Sequence, residues 1–236
     1  MPRKPITTAL IAPATNTKKD KTARIISEFH KNPSSSAEEV QMYQRASLKY
    51  GARYDTSKWL MTHLPKRPSD KERLCLLDVG ALLLGYEKYA ATVQADYINL
   101  QPPPGHLAMS IRQRDLFDVT EKYDIVCLSL VLNFVPHAVD RGRMLRKARE
   151  LVGEGGFVYV VLPRACVVNS RYLDEEELNA IMHRHGLECI AKHYSTKLYY
   201  GLFQITVCKE KDIKEEEYKP REKHAKGKRN NFKIQL

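Results

Sequence analysis

Asp124-Ile125-Val126-Cys127-Leu128-Ser129-Leu130, running on into Val131-Leu132-Asn133-Phe134-Val135-Pro136, decides how this chain is read. The first seven residues are a near-continuous apolar run of strand length, the pattern of a strand buried on both faces. Beyond Pro136, Met144, Leu145, Ala148 and Leu151 recur at helical spacing, which predicts a helix from about Ala138 to Leu151. A glycine turn, Gly153-Glu154-Gly155-Gly156, then leads into a second apolar run, Phe157-Val158-Tyr159-Val160-Val161-Leu162, stopped by Pro163. Strand, helix and strand in this order indicate a mostly parallel sheet with helices on both faces.

The same alternation extends in both directions. Upstream, Leu74 to Val79 ends at Gly80, and Val93 to Leu100 is stopped by Pro102-Pro103-Pro104-Gly105; Leu107 to Arg112 is a shorter, weaker run. Downstream, Asp174-Glu175-Glu176-Glu177 puts acids in the first turn of a helix that Gly186 closes after His185. Leu187 to Ser195 and Lys197 to Val207 read as two final strands, antiparallel to each other. The count is about seven strands in one open twisted sheet. In such a sheet ligands lie at the carboxyl ends of the strands, near the point where strand order reverses. The segments to watch are therefore Asp78 to Ala81, Asn99 to Gln101, Gln113 to Leu116 and Ser129 to Pro136.

Composition sets the outer limits. The 236 residues carry 39 Lys and Arg against 28 Asp and Glu, a net charge of +11, and 43% are hydrophobic. That suits one large domain with its own core. No apolar run reaches the roughly 18–20 residues of a membrane helix, so the expectation is a soluble, unsecreted protein with no membrane partner. The five cysteines, 75, 127, 166, 189 and 208, are odd in number and form no Cys-x-x-Cys pair. They read as buried free thiols, and no metal site is expected.

The charge is uneven. Residues 1–37 carry seven basic and two acidic side chains and residues 209–236 carry ten and six, whereas 38–208 holds 22 and 20. This divides the chain into a basic, disordered N-terminal tail (1–37), a domain (38–208) and a basic, disordered C-terminal tail (209–236). Within the domain, 38–68 reads as an N-terminal helical cap and 74–208 as the α/β core. Lys223-His224-Ala225-Lys226-Gly227-Lys228-Arg229 fits a nuclear or nucleolar address or an arm for RNA phosphates, and equally a solubilising tail.

Two features connect this body to a known family. Asp78-x-Gly80 after an apolar strand resembles the first motif of class I methyltransferases, although Leu82 and Leu84 stand where further glycines are usual. Leu128-Ser129-Leu130-Val131-Leu132-Asn133-Phe134-Val135-Pro136 is followed by Asp140-Arg141-Gly142-Arg143-Met144-Leu145. Together with Tyr43-Gln44-x-Ala46-Ser47 and Asp55-Thr56-Ser57-Lys58-Trp59-Leu60, it resembles the fungal 25S ribosomal-RNA adenine-N1 methyltransferases over about residues 41–205.

The resemblance implies a Rossmann-like class I fold, S-adenosyl-L-methionine as methyl donor, and N1 of an adenine in large-subunit rRNA or its precursor as target. It implies Gly80 and Asp78 at the cofactor turn, and Asn99 where the family has the acid that grips the ribose. An amide there lacks the charge-assisted bond of a carboxylate, so the expectation is weaker cofactor binding or help from Asp96, which three residues back should point to the other face of the strand. It implies Asp115 and Leu116 near the cofactor adenine, and Asn133, Phe134 and Pro136 as the residues that clasp the target base. Tyr43 to Leu64, with Arg45, Lys49, Arg53 and Lys58 among its aromatics, would stack on RNA or simply cap the sheet. The function expected is that of a monomeric nucleolar enzyme of ribosome biogenesis. Two alternatives stay open on the same fold: a non-catalytic S-adenosylmethionine sensor, as animal proteins similar to this family are described, and an RNA-binding ribosome-assembly protein.

Overall fold

The structure is a computed structural model that describes residues 54–65, 72–102, 110–206, 220–224 and 227–236, with isolated positions 25, 36, 38, 42 and 218. Seven strands are seen among the described residues: β1 Leu74–Val79, β2 Val93–Asn99, β3 Arg112–Gln113, β4 Tyr123–Ser129, β5 Val152–Pro163, β6 Leu187–Tyr194 and β7 Leu198–Ile205. They form one sheet in the order β3-β2-β1-β4-β5-β7-β6. Strands β1 to β5 pair in parallel, whereas β7 runs antiparallel to both β5 and β6. The order reverses between β1 and β4, so a cleft opens above their carboxyl ends.

The α-helices described over their full length are α1 Ser57–His63, α2 Ala138–Leu151, α3 Arg164–Val168 and α4 Glu175–Arg184. Alternate residues of each central strand face opposite ways. Leu77, Val126, Leu128, Val158 and Val160 pack with Leu145, Leu178 and Ile181 of α2 and α4. Leu76, Ile125, Cys127, Tyr159 and Val161 pack instead under Leu60 of α1 and Tyr86. Helix α4 begins as expected, with the Asp174 carboxylate accepting from Glu177 N at 2.8 Å, and Gly186 follows it at φ 66°.

Several boundaries move. Strand β3 is only Arg112–Gln113, and residues 103–109 lie outside the described residues. Strand β5 starts at Val152, because the chain through the glycine turn already lies alongside Tyr123. Of the predicted cap over 38–68, helix α1 and its flanks are described; Tyr43 to Arg53 and the N-terminal tail, apart from isolated positions, lie outside the described residues. Cys127 and Cys166 are buried and Cys75 and Cys189 half-buried, all as free thiols.

The expected disordered tail over 209–236 requires correction. Residues 207–217 lie outside the described residues, but 227–236 is a packed strap. Phe232 is 1% exposed, Ile234 is fully buried, and both belong to the core under α2. Asn230 N donates to Asn169 O at 3.0 Å, Arg171 N to Asn230 O at 3.0 Å, and Gln235 N to Ala138 O at 3.0 Å. The apolar residues are few, but they fall into a groove made by α2 and the chain beyond α3, and burial there outweighs the polar local composition.

Candidate active site

The turn after β1 is the pivot. Gly80 takes φ +73°, a left-handed conformation that favours glycine, and a Cβ there would lie 2.8 Å from Val131 Cγ2. Gly80 N and Ala81 N both donate to Ile98 O, at 2.8 and 3.0 Å. Asn99, at the end of β2, completes the stitch: its Nδ2 donates to Ala81 O at 2.8 Å and its Oδ1 accepts from Gln101 N at 2.9 Å. The amide thus does what a carboxylate cannot, since one end must donate to a carbonyl. Asp96 does not substitute for it. Its carboxylate accepts from Tyr123 Oη at 2.9 Å and pairs with Arg112 at 2.9 Å.

Two cavities flank this turn. The first, about 380 Å³, is lined by Tyr54 to Ser57, Asp78, the chain from Gly80 to Lys88, Ser129, Leu130 and Phe134. The second, about 330 Å³, is lined by Asn99 to Gln101, Arg114 to Phe117, Val131, Phe134 to Pro136, Asp140 and Met144, with Gly80 again at its edge. Gly80 and Phe134 belong to both, so the cavities meet there. The first is more polar. Asp78 lies on its floor, and burial pushes its carboxyl up to about 7. Asp55 in its wall accepts from Ser57 Oγ at 2.6 Å and pairs with Lys88.

Of the residues predicted for the site, Asp78, Gly80, Asn99, Asp115, Leu116, Phe134 and Pro136 all lie on these walls. Asp115 also caps the short turn Leu116–Asp118, accepting from Phe117 N at 3.0 Å. Asn133 does not join them: it is 2% exposed and lines neither cavity. Leu132–Phe134 is a single 3₁₀ turn, in which neighbouring side chains point about 120° apart. With Phe134 turned to the cleft, Asn133 turns inward.

Sequence reasoning missed other wall residues. Thr56 Oγ1 meets Ser129 Oγ at 2.8 Å across 73 residues of chain, which holds the segment before α1 against the end of β4. Tyr159 Oη donates to Thr56 O at 3.0 Å from the sheet below. The only available signal was that Asp55-Thr56-Ser57 belonged to the resembling run. Leu130 adopts φ 55°, uncommon for a side-chain-bearing residue, at the point where β4 gives way to the site loop. Among the described residues, no cluster of His, Cys, Asp or Glu is placed to hold a metal ion.

The chain is similar in structure to an O-methyltransferase family 2 protein from Planctomyces limnophilus, with TM-score 0.53, 16% identity, and 73% of this chain and 63% of that one covered. It is similar also to a Burkholderia thailandensis 1,6-didemethyltoxoflavin-N1-methyltransferase, solved with S-adenosylhomocysteine, with TM-score 0.51, 13% identity, and 86% and 94% covered. These likenesses establish the class I methyltransferase fold.

In sequence it is 33% identical over 156 residues to the 25S rRNA (adenine(2142)-N(1))-methyltransferase of Saccharomyces cerevisiae, across 65% of this chain and 46% of that protein. It is 33% identical over 132 residues to the 25S rRNA adenine-N(1) methyltransferase of Schizosaccharomyces pombe, across 52% and 47%. The match thus spans about half the length of these curated relatives. A family model matches residues 32–234, nearly to the end of the strap, and the chain belongs to that family, Bmt2, described as 25S rRNA (adenine(2142)-N(1))-methyltransferase.

Proposed function

We propose that this chain transfers a methyl group from S-adenosylmethionine to N1 of an adenine in large-subunit (25S) rRNA. The observation that carries the reading is the pair of cavities meeting at Gly80 and Phe134 in a member of this family. The residues fit the cofactor. Gly80, at φ +73° and closed against Val131, turns the chain between the two cavities, the polar cavity holding Asp78 suits the methionine end, and the cavity between Asn99 and Leu116 suits the nucleoside. When bound, the cofactor supplies an electrophilic methyl on a sulfonium.

The chain's own work is then positioning. Adenine N1 is neutral and carries its own lone pair, so no residue has to remove a proton before transfer. The site must take the base out of its stack, align N1 and exclude water. Phe134, where the cavities meet, offers a ring face for the base, and Pro136 borders it. Asp78, ionised, would face the cationic end of the donor. Asn133, buried and lining neither cavity, is left out of the base-clasping set.

The test is methyl transfer from S-adenosylmethionine to unmodified 25S rRNA, mapped by primer extension. The expected result is a stop at one adenine; tight cofactor binding with no methylated product would overturn the enzyme reading in favour of a sensor. Nucleolar location, a part in ribosome biogenesis and a monomeric state belong to the same proposal. The family's rRNA substrate and the basic residues near the C-terminus support the first two; imaging of a tagged chain checks the location, and sedimentation checks the monomeric state.

A further inference from the structure

Arg141-Gly142 stands at the start of α2 within the run that resembles the family, and nothing in the chemistry above uses it. Both residues are unusual for their place. Arg141 is 3% exposed in a helix whose other basic side chains reach the surface or its margin. Gly142 sits inside a helix, where glycine costs about 1 kcal/mol relative to alanine. The strap explains both. A methyl at position 142 would run into the carbonyl of Gln235, so only glycine lets the strap lie against the helix. Arg141 fills the space beside it, its guanidinium 4.4 Å from the centre of the Phe232 ring.

The three arms of that guanidinium point to different parts of the chain. Nε donates to Val135 O at 2.9 Å and Nη2 to Pro136 O at 3.1 Å, both in the site loop. Nη1 donates to Lys233 O at 2.7 Å, in the strap. A planar fork with five N–H donors can span these carbonyls at once, whereas a lysine ammonium presents one point of charge. Val135 and Pro136 wall the second cavity directly after Phe134. We propose that Arg141 is a positioning residue, and that the C-terminal strap acts through it to hold the Phe134 to Pro136 loop in the geometry the site needs.

Only the affinity arm of the test rests on the proposed cofactor site. Hydrogen exchange reads the loop directly, because Phe134 N and Val135 N are bonded to Val131 O and Leu132 O within the 3₁₀ turn. Arg141→Lys is expected to speed exchange at those two amides by about tenfold or more in a protein that still unfolds cooperatively. If the competent loop then falls to about a fifth of molecules, S-adenosylmethionine binding weakens about fivefold. Ile234→Ala opens a cavity in the same strap without touching the three bonds. It should melt lower yet keep wild-type exchange at the two amides and wild-type affinity.

Unchanged exchange in Arg141→Lys, or equal acceleration in Ile234→Ala, would overturn the proposal. Should Arg141→Lys fail to fold, Phe232→Leu removes the ring beneath the guanidinium while keeping an apolar filling. It should speed the same exchange about threefold, and no change would overturn the proposal equally. A wild-type chain that binds no cofactor or methylates no rRNA refutes the proposed function, and leaves the exchange result to decide the role of Arg141.

Discussion

Replacing Phe232 by alanine tests whether the C-terminal segment is part of the fold. The ring is almost wholly buried in the core beneath α2, so its loss removes a full aromatic side chain and leaves a cavity, worth about 3–5 kcal/mol. The guanidinium of Arg141, itself buried, loses the ring face at 4.4 Å, adding about 1 kcal/mol. The sum, about 4–6 kcal/mol, is a large share of the roughly 5–15 kcal/mol that holds a domain together. For a domain of this size each kcal/mol shifts the melting midpoint by about 2–4 °C, so a fall of roughly 10–20 °C is expected. Calorimetry or circular dichroism reads it directly. Lys228→Ala, on an exposed position of the same segment, should change stability by less than about 0.5 kcal/mol. A Phe232→Ala protein that melts within about 2 °C of wild type would show the strap to be a tail after all, and would sink the reasoning.

Other perturbations probe the cleft. Gly80→Ala forces a side-chain-bearing residue into φ +73° and brings its Cβ against Val131, so a strain of about 1–2 kcal/mol and a marked loss of cofactor affinity are expected; titration at wild-type affinity would take the glycine out of the site. Asn99→Asp sets a carboxylate against Ala81 O, costing about 1–3 kcal/mol in the free protein. In the proposed site the same carboxylate would make a charge-assisted bond to a ribose hydroxyl, so the cofactor-induced rise in melting temperature should grow; an unchanged rise places the ribose elsewhere. Asp78 gives a pH signature. Its folded value, about 7, lies above the unfolded 3.8, so across that window the folded state holds a proton that the unfolded chain has released, and stability falls as pH rises. Asp78→Asn should flatten that slope in urea unfolding at pH 5 and pH 7.5, and an unaltered slope would assign it to another group.

Much of the fold was legible because its signals are local. The helix from Ala138 to Leu151 and the Asp174 cap with Gly186 after its helix were readable from spacing and capping chemistry. The cleft-lining positions Gly80, Asn99, Asp115 and Phe134 were readable because each lies at or beyond the carboxyl end of a strand. Asn133 was expected on the cleft wall and is buried instead, for a reason equally physical. It is one residue from Phe134 in a tight turn, and the direction of each side chain depends on what lies beneath the turn.

The charge count shows the division most clearly. The sequence by itself determined an α/β sheet, the turn glycine and the site loop, since strand-length apolar runs and turn residues carry their meaning within a few positions. It also determined the net charge of +11 and the placing of most of the surplus at the two ends. Only the tertiary structure decided what part of the C-terminal share does. Lys223 bonds to Asp174 at 3.0 Å and Lys233 lies 4.9 Å over the Tyr172 ring, while Phe232 and Ile234 on either side of Lys233 are core. Two apolar residues just past a basic run are unremarkable in sequence. They become structural only when residues some 60 to 90 positions upstream form the groove that receives them, and no local pattern records that meeting.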